Sequence, residues 1–525
     1  MISSTNCLLV AISVLLFAIV RAVTHYFLDA NSLRRFPAPS VAGFTPLWAI
    51  WHNARGMRYL AVEDAHRRLG PIIRIGPNIL SFSDPRAYKE IYGHGSSIIK
   101  DTFYDNLAGD TPSMADTSSR QLHSIKRKNV SSIFSAKNIS TMEPKVAQVV
   151  ETLLQAIDVK ASGGRVSEAD TYLVNSRSEF DLRPWMNMFS FDAFSSMLWS
   201  MPYGFLTVGS DLCKSMDVNG HVTSIHAMES FRTGVHFNTL CAQCSPATYG
   251  FLRWATRWMS RNQAADKFAG MARYGTMERL KNGPVSTDFF TFFPLKATEK
   301  RPVPMTIPEI VAECTSFLNA GNDTTQITLT NTMFQLASHP EKQQKLYSLL
   351  TDSLEKRQQP IAPFAELGKV PYLTACLDET LRVMPPVRFG LPRKTVGEGS
   401  VIQGHLIPGG VTVSASVQTM QLDDSLFRKA SSWIPERWIP ESNESSEEEL
   451  RNLKEFVLPF TLGGRACIGR NLAYMEISIC LAALIMAFEW KVTDEERRNF
   501  HHFERFNSSP VRLMVSAVPR QPFKV

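Results

Sequence analysis

The longest helical repeat of apolar positions runs from Thr306-Ile307-Pro308-Glu309 to His339-Pro340. A threonine followed three residues later by a glutamate makes a capping box, so the spacing predicts a helix start. Proline predicts the end, because the residue before it disfavours helical backbone. At about 1.5 Å per residue such a rod crosses a whole domain. Its middle, Ala320-Gly321-Asn322-Asp323-Thr324-Thr325, gathers poor helix formers where alanine or leucine would hold a rod better. Local rules broken inside a strong element predict a functional kink. A second helix-period run opens at Arg470-Asn471-Leu472-Ala473-Tyr474-Met475-Glu476 and reaches Phe488. A shorter helix is predicted over Leu373 to Val383. Residues 140–300 keep a helical rhythm without a sharp motif. Ile72 to Phe82 reads instead as strand, turn and strand.

Near the N-terminus, Cys7 to Val20 is uncharged and strongly apolar; Arg21 interrupts, and Ala22 to Leu28 continues. A spanning helix needs about 20 largely apolar residues. This run supplies them if Arg21 snorkels toward the interface. A cleaved signal peptide is the competing reading, but it usually has a positive start. Here Arg21, Arg34 and Arg35 follow the run and no Lys or Arg precedes it. That asymmetry puts the downstream chain on the cytoplasmic side. Residues 1–28 are therefore expected to be an uncleaved, single-pass anchor. Residues 29–40, with Pro37 and Pro39, are expected to be a stiff linker, and residues 41–525 one domain.

Composition narrows the function classes. Hydrophobic residues make up 44% and charged residues 20%, which suits a globular core rather than disorder. A net charge of +7 permits contact with an acidic partner or an anionic membrane face. Basic and aromatic residues do not alternate, so nucleic acid is not an expected partner. Eight cysteines in 525 residues do not make a secreted disulfide framework. Cys241 and Cys244 lack the second ligand pair that zinc needs.

Cys467 is the cysteine with a chemical setting. It sits in Phe460-Thr461-Leu462-Gly463-Gly464-Arg465-Ala466-Cys467-Ile468-Gly469, just before the helix that opens at Arg470. Unpaired N–H groups and the positive end of the dipole at a helix start favour thiolate over thiol. Gly463, Gly464 and Gly469 let the backbone pass close to a flat partner, and Arg465 can reach a carboxylate on it. Such a loop can hold haem iron by its axial face. A buried, inert thiol is the plainer reading of one cysteine alone.

The order Phe460, Gly463, Arg465, Cys467, Gly469 closely resembles the haem-ligand signature of the cytochrome P-450 superfamily. Ala320 to Thr325 is similar to its oxygen-activation motif. Glu379 and Arg382, with Arg437 in Pro435-Glu436-Arg437, resemble its Glu-x-x-Arg helix and the arginine that completes a buried ion network. His123 and Arg127, four apart, match a pair set against a haem propionate, and Arg393 matches a second propionate-binding arginine. Phe506 to Val511 looks like the last substrate-lining turn.

This resemblance implies a mainly α fold with small β-sheets, a single haem domain behind the anchor. It implies haem b on Cys467 and insertion of one oxygen atom from dioxygen, with Asp323 and Thr324 delivering protons. No flavin or nicotinamide segment follows the last motif, so electrons are expected from NADPH through a partner reductase, with cytochrome b5 as a second donor. The implied location is the endoplasmic reticulum membrane, catalytic domain in the cytoplasm. The stretches Tyr92 to Asp105 and Phe134 to Lys137 resemble fungal benzoate para-hydroxylases. The expected substrate is a polyketide or terpenoid intermediate of fungal secondary metabolism, with benzoate hydroxylation as the alternative. A benzoate-like acid would need a cation in the pocket, and Arg388 and Arg512 are candidates. Phe205, Phe231 and Phe237 are candidate pocket residues, with a plain core role competing. A haem-thiolate isomerase or dehydratase, and a non-catalytic haem binder, remain as other classes.

Overall fold

The computed structural model describes residues 4–175, 178–283, 285–297, 303–354, 361–442 and 444–520. They fall into two compact units, each assembled from separated stretches of chain. The first takes in the chain up to Thr102 with Phe389–Met420 and Leu462–Arg465; the second takes in Phe103–Arg388, Gln421–Thr461 and the chain from Ala466.

The first unit is built on a five-stranded sheet. In spatial order its strands are Ile72–Gly76, Ile79–Phe82, Thr412–Ala415, Arg393–Lys394 and Ile99–Lys100. The pairing is antiparallel except between Thr412–Ala415 and Ile79–Phe82. Helix Arg58–Leu69 lays Val62 and Ala65 on Ile73 and Ile75 of the first strand. The Pro37 carbonyl accepts from the Arg74 N–H at 2.7 Å, which fixes the proline connector to the sheet edge. Ser4–Leu28 is one helix of 25 residues, and near its end the Tyr26 ring stacks on Phe44 at 3.9 Å.

The second unit is mostly helical and centres on Ile307–Ser338, a helix of 32 residues. Thr306 and Glu309 form the predicted capping box, and His339 ends the helix. The helix runs uninterrupted through Ala320 to Thr325. Thr324, Thr328, Thr330 and Thr332 each donate to the carbonyl four residues back, at 2.7–2.8 Å, so their hydroxyls are satisfied within the helix. Gly321 makes room for a neighbouring helix. A Cβ there would collide with the Phe194 ring, so this glycine seats an aromatic side chain of helix Arg183–Trp199. All 17 residues of that helix are buried.

Helix Arg470–Ala487 is long and apolar enough to cross a membrane, yet 78% of it is buried inside the chain; it is a core helix. Within it Glu476 is buried among apolar residues, and burial raises its pKa from 4.5 to about 8. Below pH 4.5 the carboxyl is protonated in folded and unfolded chains alike. Between pH 4.5 and about 8 only the unfolded chain ionises, so stability falls as pH rises. Glu476→Gln is expected to flatten that decline, by a few kcal/mol at its upper end. Melting temperatures taken across pH with wild type and variant check this; parallel curves would refute it.

Elsewhere in this unit lies a hairpin that the helical rhythm of residues 140–300 concealed. Leu212–Met216 pairs with Val222–His226, and Gly220 turns the chain at φ 88°. Phe205 and Phe231 are core residues, and Phe237 is half-buried. Glu379, Arg382 and Arg437 meet in the interior. Arg382 grips both Glu379 oxygens at 2.9 and 2.8 Å, and Arg437 Nε donates to the same carboxylate at 2.9 Å. Ile434 N–H and the Trp438 indole add two more donors. Arg437 also pairs with Glu449, and Arg382 donates to the carbonyls of Gln421, Ala430 and Ser432.

Candidate active site

Phe460 and Cys467 close a loop, with the Cys467 N–H donating to the Phe460 carbonyl at 2.9 Å. Gly469 caps helix Arg470–Ala487, and the N–H groups of Gly469 and Arg470 are hydrogen-bonded to the Cys467 sulfur. Arg470 lies over the Phe460 ring, 5.6 Å from its centre, and Phe460 packs on Tyr474. Cys467 is exposed as a residue, while the atoms around its sulfur strip a thiolate of water and push the thiol pKa up. The sequence reading expected thiolate to be favoured. The two N–H donors and the Arg127 and Arg470 charges act in that direction, but burial outweighs them. A coordinated metal ion inverts such a balance and deprotonates the thiol.

Helix Arg120–Val130 carries His123 and Arg127 on one face. His123 is buried, and Arg127 donates to the Ala466 carbonyl at 3.0 Å, beside Cys467. A Cβ at Gly469 would stand 4.0 Å from the Phe134 ring, which meets Phe317 of the long helix edge-on, 5.2 Å between centres.

Along that helix one stripe stays open. Ala312, Ser316, Ala320 and Thr324, spaced by four, are partly or wholly exposed, while most of the rest is buried. Thr324 donates to the Ala320 carbonyl on this stripe. Asp323 faces elsewhere: buried, it accepts from the Gln326 and Asn507 amides at 3.0 and 2.8 Å.

In the first unit, Gly463 and Arg465 form a short 3-10 turn. Gly463 has φ 71°, and a Cβ there would strike the Tyr92 carbonyl, so only glycine fits. Arg393 lies 4.9 Å over the Tyr92 ring, whose hydroxyl donates to the Leu391 carbonyl at 2.7 Å.

The two candidate substrate cations have contacts within the chain. Arg388 packs against His502 at 3.1 Å and the Pro385 carbonyl at 3.4 Å, and His502 in turn contacts Asn331. Arg512 is at the surface, 3.6 Å from Glu496. Sequence reasoning missed another set, Arg183, Arg232 and Arg505, which converges near Asp323.

The cytochrome P-450 family profile matches residues 39–516. This chain belongs to the cytochrome P-450 family. Curated relatives agree along nearly their full lengths. Benzoate 4-monooxygenase bphA of Aspergillus niger is 28% identical over 94% of this chain and 95% of its own. Cytochrome P-450 monooxygenase poxC of Penicillium oxalicum is 27% identical over 95% and 92%. Cytochrome P-450 monooxygenase mfmA of Annulohypoxylon moriforme is 26% identical over 93% of each chain. The protein is a haem-dependent monooxygenase with thiolate-ligated haem, a redox-partner reductase and a small organic substrate. The residues present fit that group. The sulfur of an exposed cysteine would hold haem iron as thiolate, with two N–H donors and nearby guanidiniums to favour its charge.

Proposed function

We propose that Cys467 would hold the haem iron through its sulfur and that Asp323 and Thr324 manage the protons the reaction consumes. The support for the first is exposed Cys467, its sulfur held by the Gly469 and Arg470 N–H groups. When bound, haem supplies dioxygen activation and transfer of one oxygen atom to the substrate. Phe460 closes the ligand loop, and the N–H donors fix the sulfur's position and charge. Gly463 makes the turn before it. His123, Arg127, Arg393 and Arg465 carry over from the family motifs as propionate partners; Arg127 also ties its helix to the ligand loop through Ala466. Glu379, Arg382 and Arg437 act as a fold lock and take no part in chemistry.

Thr324 holds a hydroxyl on the open stripe. Its proton rests on the Ala320 carbonyl, and rotation about one bond frees it to donate elsewhere. Asp323, clamped by two amides, holds a carboxyl group one residue away. Thr324→Ala keeps helix propensity, so haem content and the carbon monoxide spectrum should stay normal. NADPH consumption should continue while a larger share of it ends as hydrogen peroxide. Unchanged coupling of NADPH to product would remove Thr324 from the relay.

The substrate reading favoured here is a polyketide or terpenoid intermediate of fungal secondary metabolism. An aromatic acid is the second reading, supported by the likeness to a relative named for benzoate 4-monooxygenation. Residues 1–28 are proposed to anchor the protein in the endoplasmic reticulum membrane, with residues 29–40 as linker and cytochrome b5 as an additional electron donor. The apolar run with arginines only after it supports this topology. Protein from membranes should begin at or near Met1 and resist alkaline carbonate; a soluble form starting beyond Phe27 would overturn the anchor.

A further inference from the structure

Three arginines far apart in sequence come together beside the distal helix. Arg183 begins the buried helix Arg183–Trp199, Arg232 lies on helix Ala227–Ala242, and Arg505 sits in the turn between strands His502–Glu504 and Ser508–Pro510. Ser509 of that hairpin binds the group together. It accepts from Arg183 Nη2 at 3.3 Å and from Gln326 of the long helix at 3.2 Å. One turn along from Arg232, His236 packs its ring 5.3 Å from Phe503, and Arg505 lies over the same Phe503 ring at 4.6 Å.

None of the three guanidiniums forms a salt bridge with another described residue. Arg183 is buried with its Nε unpartnered. Arg232 has one weak side-chain contact, to the Met228 sulfur at 3.8 Å. Arg505 makes no side-chain hydrogen bond with another described residue. The neighbouring carboxylates are engaged elsewhere: Asp323 by Gln326 and Asn507, Asp181 by the N–H groups of Arg183 and Leu513, Asp211 by His226 and the Met228 N–H. Burying like charges without partners is costly, and a fold keeps such an arrangement where an anion completes it. Arg232 and Arg505 are half-buried rather than sealed.

We propose that Arg232 and Arg505, backed by Arg183, form a subsite for a carboxylate on the substrate, so that this enzyme oxidises apolar carboxylic acids. The inference rests on the monooxygenase reading and names its substrate class. The arginines still carry charge at neutral pH, although burial lowers Arg183 to about 9 and Arg505 to about 10. Their mutual repulsion adds to the lowering, and Asp323 opposes it. An aromatic wall adjoins the cationic pole. Phe506 at the hairpin tip stacks on Phe103 at 6.4 Å, within a cluster that includes Tyr104 and Tyr249. The acid's apolar body has a surface to lie on, and its charged end has two fork-shaped donors to meet.

The test compares benzoate, naphthoate and dodecanoate with their methyl esters for binding to the haem-loaded protein, by calorimetry and by melting temperature. At least one acid should bind about tenfold or more tighter than its ester. Arg232→Gln and Arg505→Gln should each abolish that preference. Neither should lower the melting temperature of the ligand-free protein, because each relieves repulsion between cations. Equal binding of every acid and its ester overturns the subsite, and this arm needs no variant. Variants that keep the acid preference, or that only lose stability, overturn it too. The reduced carbon monoxide spectrum of the same samples separates the two claims. A thiolate band without acid preference rejects the subsite alone; absence of the band rejects the haem-thiolate reading.

Discussion

Cys467→Ala is expected to leave a folded chain that has lost the absorbance of a thiolate-ligated, reduced carbon monoxide complex entirely. The sulfur is what the Gly469 and Arg470 N–H groups hold in place. The residue is exposed, so shortening its side chain removes little packing and the helix behind it keeps its cap. No other described cysteine is an equivalent substitute. Cys314, Cys376 and Cys480 are buried and Cys213, Cys241 and Cys244 are half-buried, whereas Cys467 is exposed. Far-ultraviolet circular dichroism would report the fold and the carbon monoxide difference spectrum the ligand. A variant that keeps the band places the iron on another residue.

Glu379→Ala is expected to have the second largest effect, on stability. Its carboxylate lies between Arg382 and Arg437 and also accepts from Ile434 N–H and the Trp438 indole. Removing it leaves two buried guanidiniums short of charge and two donors without an acceptor. Breaking a buried ion pair from one side costs about 3–5 kcal/mol. Arg437 keeps Glu449, and Arg382 keeps three carbonyls, so the loss falls mainly on the link to Ile434–Trp438. Chemical denaturation checks the size. A drop below about 1 kcal/mol, the range of exposed pairs, would mean that this network is no lock.

What the sequence made legible was local. The ends of helix Ile307–Ser338 were visible because a capping box and a helix-stopping proline each occupy a few adjacent residues. The ligand loop was visible for the same reason: cysteine, glycines and the next helix adjoin. The strand pair Ile72–Gly76 and Ile79–Phe82 announced itself by two isoleucine-rich runs around a Gly-Pro-Asn turn.

Other features depended on tertiary contact. Gly321 makes room for Phe194, more than a hundred residues upstream. The threonine hydroxyls at and after Ala320 to Thr325 bond back to carbonyls of their own helix, partners that a count of propensities does not include. The hairpin Leu212–Met216 with Val222–His226 was hidden inside a longer helical rhythm, although Asp217-Val218-Asn219-Gly220 is a turn signal. Arg183, Arg232 and Arg505 share no spacing that a reader could find. Only the meeting of two helices and a hairpin makes them a group, while Arg388 and Arg512, chosen for their position near motifs, are occupied by His502 and Glu496.

The most direct test of the whole account is NADPH oxidation by the haem-loaded protein with a purified partner reductase, followed with and without dioxygen. The account predicts oxidation that needs the reductase, consumes dioxygen, is lost in Cys467→Ala, and stops when dioxygen is withdrawn. Turnover of a substrate that proceeds without dioxygen or reductase would contradict it.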